Sequence, residues 1–294
     1  MPETKIKHRL GDRRDGRRIR NLPPMQYVAV SIMHKRNDAQ NLFSSSVDYG
    51  KLQEYINKKR EEGLTGFGFM HVIVASYVRM VSQKPAINRY IAGWKIFKRD
   101  EIVLSMMVKK SMKVNAQESA IKVRFKPTDT ADDVYRKMEE AIAVATQEGD
   151  TNGFDSVARI INALPSVLLR WFVAFMQFLD FFGIMPKIID EVSPFHASIF
   201  ISNLGSLGIP PIYHHLYNFG NTPVFITFGA KRRENVLNLD GTVSQKVMVD
   251  YTVVTDERIT DGHYFATAFK GLEKLMKNPE KLDTPPETVV EDID

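Results

Sequence analysis

Residues 253–266, VVTDERITDGHYFA, place Asp256, Glu257, Arg258 and Asp261 around Gly262. Carboxylates and a guanidinium on one short loop can act as a general base, form an ion pair or ligate a cation. The spacing lacks the alternating ligands of a calcium loop, so the first two roles remain. Some 55 residues upstream, IFISNLGSLGI reads as a strand entering a Gly-rich turn. It presents the Ser202 hydroxyl at the strand end, with Asn203 beside it. Ser in that position also serves as a turn cap. Between the two lies PPIYHHLYNFG, carrying Tyr213, His214 and His215. Adjacent strand residues face opposite ways, so the two histidines do not readily share one ion. His263 reads as a residue of a packed turn. No Gly-x-Ser-x-Gly elbow surrounds Ser202, and the chain has no phosphate loop and no dinucleotide fingerprint. It has no cysteine, which excludes disulfides, thiolate metal sites and a cysteine nucleophile. No metal is expected.

Elements able to position these residues follow from periodicity. VDYGKLQEYINKKREEG is an amphipathic helix with Leu52, Tyr55 and Ile56 on one face and Gly63 after it. Residues 70–85 form a more buried helix stopped before Pro85. EIVLSMMVKK and SAIKVRFKP read as strands. Thr130 and Asp133 form the start signal of a helix that buries Val134, Met138, Ala141, Ile142 and Ala145. TPVFITFGA is a buried strand. NVLNLDGTVSQKVMVDYTVV is a hairpin in which Asp240 and Gly241 supply two positive φ values. A closing helix puts Phe265, Phe269 and Leu272 on one face. Mixed helices and strands with long antiparallel pairs indicate an α+β fold around one core.

The formal net charge is +5, and residues 1–20, with eight Lys/Arg and three Asp/Glu, hold all of it. The body is therefore not a nucleic-acid surface by charge. The expected division is a basic N-terminal arm (1–24), a catalytic-type domain (25–279) and a loose acidic tail (280–294). The arm is expected to be solvated or strapped to the body by ion pairs. No signal-peptide core is present, and a cytoplasmic location is expected. Residues 164–189, LPSVLLRWFVAFMQFLDFFGIMPKII, are apolar but interrupted by Arg170, Gln177 and Asp180. A charge near a bilayer centre costs about 2.5–3.5 kcal/mol on insertion scales, and the uncharged run is too short to span. A helix buried on most sides is expected, with a subunit interface or peripheral membrane contact as the alternatives.

The Ser-Asn-Leu-Gly turn at 202–205, followed by a strand, a hairpin and Glu257-Arg258-Ile259-Thr260-Asp261-Gly262, resembles the chloramphenicol acetyltransferase superfamily. The catalytic domains of 2-oxoacid dehydrogenase dihydrolipoyl acyltransferases are the most similar group, over roughly residues 25–275. The resemblance implies a two-layer sandwich, a mixed sheet with helices packed on it, assembled as homotrimers with sites between subunits. It implies acyl transfer between a thioester, coenzyme A or acyl-coenzyme A as substrate, and another acceptor in an inter-subunit channel. It assigns Ser202 to the oxyanion, position 257 to the base, Asp261 to anchoring the loop through an arginine, and Asn203, Tyr213 and His214 to substrate contact. The family motif has His where this chain has Glu257. Ordinary Glu lies near 4.3 and His near 6.5, so against a thiol the mismatch grows by about 3 kcal/mol. Glu257 or His215 is then the candidate base. A catalytically silent trimeric binding or scaffold protein is the alternative. No lipoyl domain, and so no covalent lipoyl group, is expected.

Overall fold

The computed structural model describes residues 7–109, 118–146 and 165–293. The first six residues of the basic arm and Leu164 lie outside them, as do the ends of two expected elements, Lys110 and residues 147–149.

Six strands form one sheet in the order β2 (Gln40–Asp48), β9 (Val243–Asp256), β8 (Val224–Leu237), β7 (Ile199–Asn203), β5 (Ile102–Lys109) and β6 (Glu118–Phe125). β7 runs parallel to both neighbours, β5 and β8, and the other pairings are antiparallel. A second, three-stranded sheet has the order β1 (Gly16–Arg18), β4 (Lys95–Arg99), β3 (Arg89–Ala92). The architecture is α+β, a mixed sheet with helices on it.

Alternation along the strands sorts residues between two faces. Leu104, Ile201, Ile226, Val253 and Val47 face the main core. There they meet α2 (Tyr49–Glu61), α3 (Phe69–Gln83), α4 (Ala131–Thr146) and α7 (Gly262–Lys277). The helical stripes are those expected. Leu52, Tyr55 and Ile56 are buried from α2, Val134, Met138 and Ala145 from α4, and Phe265 and Leu272 from α7. Thr130 and Asp133 cap α4 reciprocally, with the Thr130 amide donating to the Asp133 carboxylate and the Asp133 amide to Thr130 Oγ1. The opposite sheet face carries a smaller cluster, Phe200, Phe225 and Val254, closed by Leu216.

Three expectations need correction. The β8–β9 turn has only Gly241 at positive φ, +82°, and Asp240 does not share it. The turn is a longer one: the Gly241 amide donates to the Asn238 carbonyl and the Asn238 amide to the Thr242 carbonyl. One left-handed glycine after a tight turn replaces the two-residue form. The acidic tail is not loose. Asp292 accepts two hydrogen bonds from Arg89, at 2.7 and 2.5 Å, and the Val290 amide donates to the Ser82 carbonyl. The third is the apolar segment. It forms α5 (Ser166–Phe182) and the short α6 (Lys187–Val192), joined through Gly183 at φ +74°. Only Met176 and Asp180 of α5 are buried, so the helix lies on the body and is not enclosed by it. Its apolar residues outnumber the positions that one contact face can cover.

The described part of the basic arm is strapped down: Arg13 pairs with Asp180, Arg14 with Asp190 and Arg17 with Asp100, while Arg20 pairs with Asp12 within the arm. β1 is itself a strand of the small sheet.

Candidate active site

Ser202 sits at the penultimate position of β7, in register with Thr227 of β8, which is in register with Thr252 of β9. Ser202 Oγ has no hydrogen-bond partner among the described residues, so it is available to a ligand. The turn after it is held by Asn203. Its side-chain oxygen accepts from the Ser206 amide at 3.2 Å and its carbonyl accepts from the Ser206 hydroxyl at 3.1 Å. Asn203, expected to contact substrate, is thus engaged in forming the turn. The turn packs so closely on β8 that a Cβ at Gly205 would lie 2.8 Å from the Gly229 carbonyl oxygen. Glycine is therefore required for backbone proximity at this point.

From there the chain crosses the smaller sheet face. The Ile209 carbonyl accepts from the Ala230 amide, and the Ile212 carbonyl accepts from Thr252 Oγ1 at 2.5 Å. His214 stacks on Phe225 with ring centroids 4.0 Å apart and planes 8° apart, and its Nδ1 is 2.9 Å from the His215 carbonyl oxygen. Burial lowers its pKa from the ordinary histidine value, outweighing that hydrogen bond. The Leu216 amide then donates to Gln40 Oε1 at 3.1 Å. Tyr213 and His215 are both exposed, and the His215 ring meets Tyr217 edge-on. The two histidine rings lie side by side, centroids 4.7 Å apart, contrary to the expectation that they face opposite ways, because the segment is not a strand. Among the described residues no cluster of His, Asp and Glu is arranged to hold a metal ion.

Glu257 follows β9 at the other end of the sheet. Its amide donates to the Ala39 carbonyl at 2.8 Å, and its side chain is exposed with no ion pair among the described residues. Its neighbours on both sides point inward. Asp256 is fully buried and accepts from Arg258 Nε at 2.8 Å and Nη2 at 2.7 Å. Arg36 Nε lies 3.4 Å from the same carboxylate. Arg36 also donates through Nη1 to the carbonyls of Tyr217 and Gly220, and Arg258 Nη1 donates to that of Met33. Burial lowers the pKa of Arg36, and Asp256 acts against this. Two guanidiniums around one carboxylate therefore tie the loop to α1 (Pro24–Ile32), the following turn and the 217–220 segment.

This arrangement corrects the role expected for Asp261. Asp261 is exposed and makes no ion pair among the described residues. Its Oδ1 accepts from the Tyr264 amide at 2.8 Å, the N-cap of α7. The partners expected for it are engaged elsewhere: Arg258 with Asp256, Arg17 with Asp100, Arg20 with Asp12. Arg18 contributes its amide to Asp12. The sequence signal for the true anchor was present. Asp256 and Arg258 lie two residues apart across the start of a 3-10 turn, Glu257–Ile259, which folds the arginine back so that the Asp256 carboxylate also accepts from the Arg258 amide. Arg36, some 220 residues earlier in the chain, carried no such signal. His263, in the first turn of α7, is exposed.

One chain does not bring Ser202 and Glu257 together. They are two strands apart across the sheet and five residues apart along it, counting from Thr252 in the Ser202 row. Standard sheet spacings put them roughly 19 Å apart. The 209–220 segment runs between the two ends, with the histidines along its course.

No family model matches the sequence, and no curated protein matches it. Solved structures do match. A probable dihydrolipoamide acetyltransferase from Listeria monocytogenes is 13% identical, with TM-score 0.57, over 88% of this chain and 94% of that one. The Azotobacter vinelandii dihydrolipoamide acetyltransferase is 12% identical, with TM-score 0.52, over 90% and 94%. A truncated 2-oxoacid dehydrogenase catalytic core from Thermoplasma acidophilum is 13% identical, with TM-score 0.51, over 89% and 98%. The chain thus has the fold of these dihydrolipoamide acetyltransferase and 2-oxoacid dehydrogenase core structures, over almost their whole length.

Proposed function

We propose that this protein transfers an acyl group from a thioester, coenzyme A or a similar thiol being the carrier, at sites completed by a second copy of the chain. The observation that carries this reading is the unpartnered Ser202 hydroxyl at the end of β7, in the fold of acyltransferase catalytic cores. Ser202 would donate to the oxyanion of the tetrahedral intermediate, a contact worth about 10²–10³ in rate. Glu257, held outward between two buried charges, would take the proton of the attacking nucleophile. The geometry also supports the division of labour between copies. A head-to-tail ring, a homotrimer as the resemblance implies, sets the Ser202 end of one copy against the Glu257 end of the next. His215, exposed on the segment between them, is the alternative base.

Complementation tests this arrangement. Ser202→Ala and Glu257→Gln should each lose thiol release from acyl-coenzyme A. Unfolded together in equal amounts and reassembled, they should recover about one quarter of wild-type activity. Only the interfaces with Ser202 on one side and Glu257 on the other are then complete, and random mixing makes about one in four of that kind. No recovery, from variants that are folded and mixed, excludes the shared site. Full activity in both single variants excludes the site residues altogether. A silent scaffold would show no turnover in the wild type.

A further inference from the structure

Helix α5 carries an outward stripe of Trp171, Phe175, Phe178 and Phe182, spaced so that all four share one side of the helix. They are 55–73% exposed. The stripe extends by ring-to-ring contact. Phe178 meets Phe182 at 4.9 Å, Phe182 meets Phe181 at 5.1 Å, and Phe181 meets Trp94 at 4.9 Å. Trp94 is itself 69% exposed and is the one non-glycine residue at positive φ among those described. Large aromatic side chains present about 150–250 Å² each, so six that are roughly half exposed show on the order of 600 Å² of continuous apolar surface. That is the upper end for the largest patch of an ordinary monomer, and such patches mark interaction sites.

The helix is fixed in this orientation from below. The Asp180 carboxylate and carbonyl both accept from Arg13, and His196 Nε2 lies 3.4 Å from the carboxylate. A Cβ at Gly93 would lie 2.6 Å from the Phe181 carbonyl oxygen, so the β3–β4 turn presses against the helix end. The stripe therefore stands away from the body on a supported ridge.

Charge indicates what covers it. Lys95 adjoins Trp94, Lys35 shares a small cavity with Trp94, Gln177 and Phe181, and Arg170 adjoins Trp171 on α5. All three are exposed, and none has an ion pair among the described residues. Of the acids nearby, Asp180 is engaged with Arg13, Asp190 with Arg14 and Glu191 with Lys187, and Asp38, in the turn after Lys35, is exposed without an ion pair among the described residues. A second copy of this surface would bring more unpaired cations to the contact and few free acids. A convex aromatic ridge with a basic rim suits an anionic lipid surface, where the rings enter the headgroup boundary and the cations meet phosphates. No helix among the described residues is long and apolar enough to cross a bilayer, so the contact is interfacial.

We propose that α5, with Trp94, is an interfacial anchor that seats this protein on an anionic membrane surface. The proposal holds whether or not the chain transfers an acyl group.

The chain has two tryptophans, Trp94 and Trp171, and both lie in this patch, so intrinsic fluorescence reads the patch directly. The probe is vesicles of phosphatidylcholine and phosphatidylglycerol in equal parts, against phosphatidylcholine alone. The full-length protein is expected to float with the anionic vesicles, to shift its emission to shorter wavelength, and to be quenched by brominated lipid. High salt should weaken binding. The double variant Phe175→Glu/Phe178→Glu should bind at least about tenfold more weakly. Leu239→Glu, on the exposed β8–β9 hairpin, should bind as the wild type does. Absence of flotation, or flotation without quenching, overturns the proposal. So does a double variant that binds as well as wild type, or one whose only change is a smaller oligomer, which would assign the stripe to a second copy. If the double variant does not fold, quenching of the wild type by brominated lipid still decides.

Discussion

Asp256 and Asp261 offer a direct comparison, because one sits in a charge cluster and the other caps a helix. Asp256 is fully buried and held by Arg258 in a two-point contact of 2.8 and 2.7 Å, with Arg36 3.4 Å away. Asp256→Asn leaves two buried guanidiniums without a counter-charge. Breaking a buried pair on one side costs about 3–5 kcal/mol. Asp261 is exposed and accepts one amide hydrogen bond at the start of α7. Asp261→Ala removes a cap, at about 0.5–2 kcal/mol. At about 2–3 °C per kcal/mol for a chain of this size, the melting temperature should fall by about 6–15 °C for the first and by about 1–6 °C for the second. The assay is calorimetry of both variants and wild type at one protomer concentration. Asp256→Asn combined with Arg258→Met should cost less than the sum of the single changes, since one of the two stranded cations is gone. An Asp261 variant that melts below the Asp256 variant, or strictly additive losses, would refute the assignment of the anchor to Asp256.

Two further outcomes follow from the same geometry. Replacing Glu257 by His, with imidazole near 6.5 in place of a carboxylate near 4.3, should raise acyl-coenzyme A turnover, by up to about 3 kcal/mol of proton-transfer driving force. Adding Ser202→Ala should remove most of that gain, and kinetics on the two variants check it. The second concerns acid. Burial pushes the Asp180 carboxyl up, but His196 and Arg13 outweigh it and hold it at about 2. A depressed carboxyl contributes stability that is present above the ordinary value near 3.9 and lost as pH falls through about 2. That amounts to about 2–3 kcal/mol. Wild type should lose this between about pH 4 and pH 2. Denaturant titrations should show a flatter dependence over that interval for Asp180→Asn, which starts less stable, and equal slopes would disprove the linkage.

Strands β5 to β9 and the stripes of α2, α4 and α7 were legible because each is written in local periodicity. The Thr130–Asp133 cap was legible for the same reason, being a contact over three residues. The β8–β9 turn was misread locally, but the anchor of the loop was missed because its partners, Arg36 and Asp256, are far apart in sequence. The acidic tail looked loose because its composition is polar, yet Arg89 and Ser82 supply the buried partners that hold it. The exposure of α5 was hidden for another reason. An apolar run records how much surface avoids water, not whether the same chain covers it.

The same geometry bears on Glu257. Asp256 and Arg258 face inward and fasten the loop, while the Glu257 amide is fixed to the Ala39 carbonyl. The side chain at 257 therefore projects outward because of its neighbours, whatever residue occupies the position. Fold and loop do not depend on imidazole there, so exchanging His for Glu changes the proton chemistry and leaves the scaffold intact. A family motif read as a string loses its central residue in this chain. Read as a structure, it keeps the strand-end hydroxyl of Ser202, the capped helix at Asp261 and an outward side chain on an anchored loop. Within one chain the first and the last stand at opposite ends of the sheet, two strands apart.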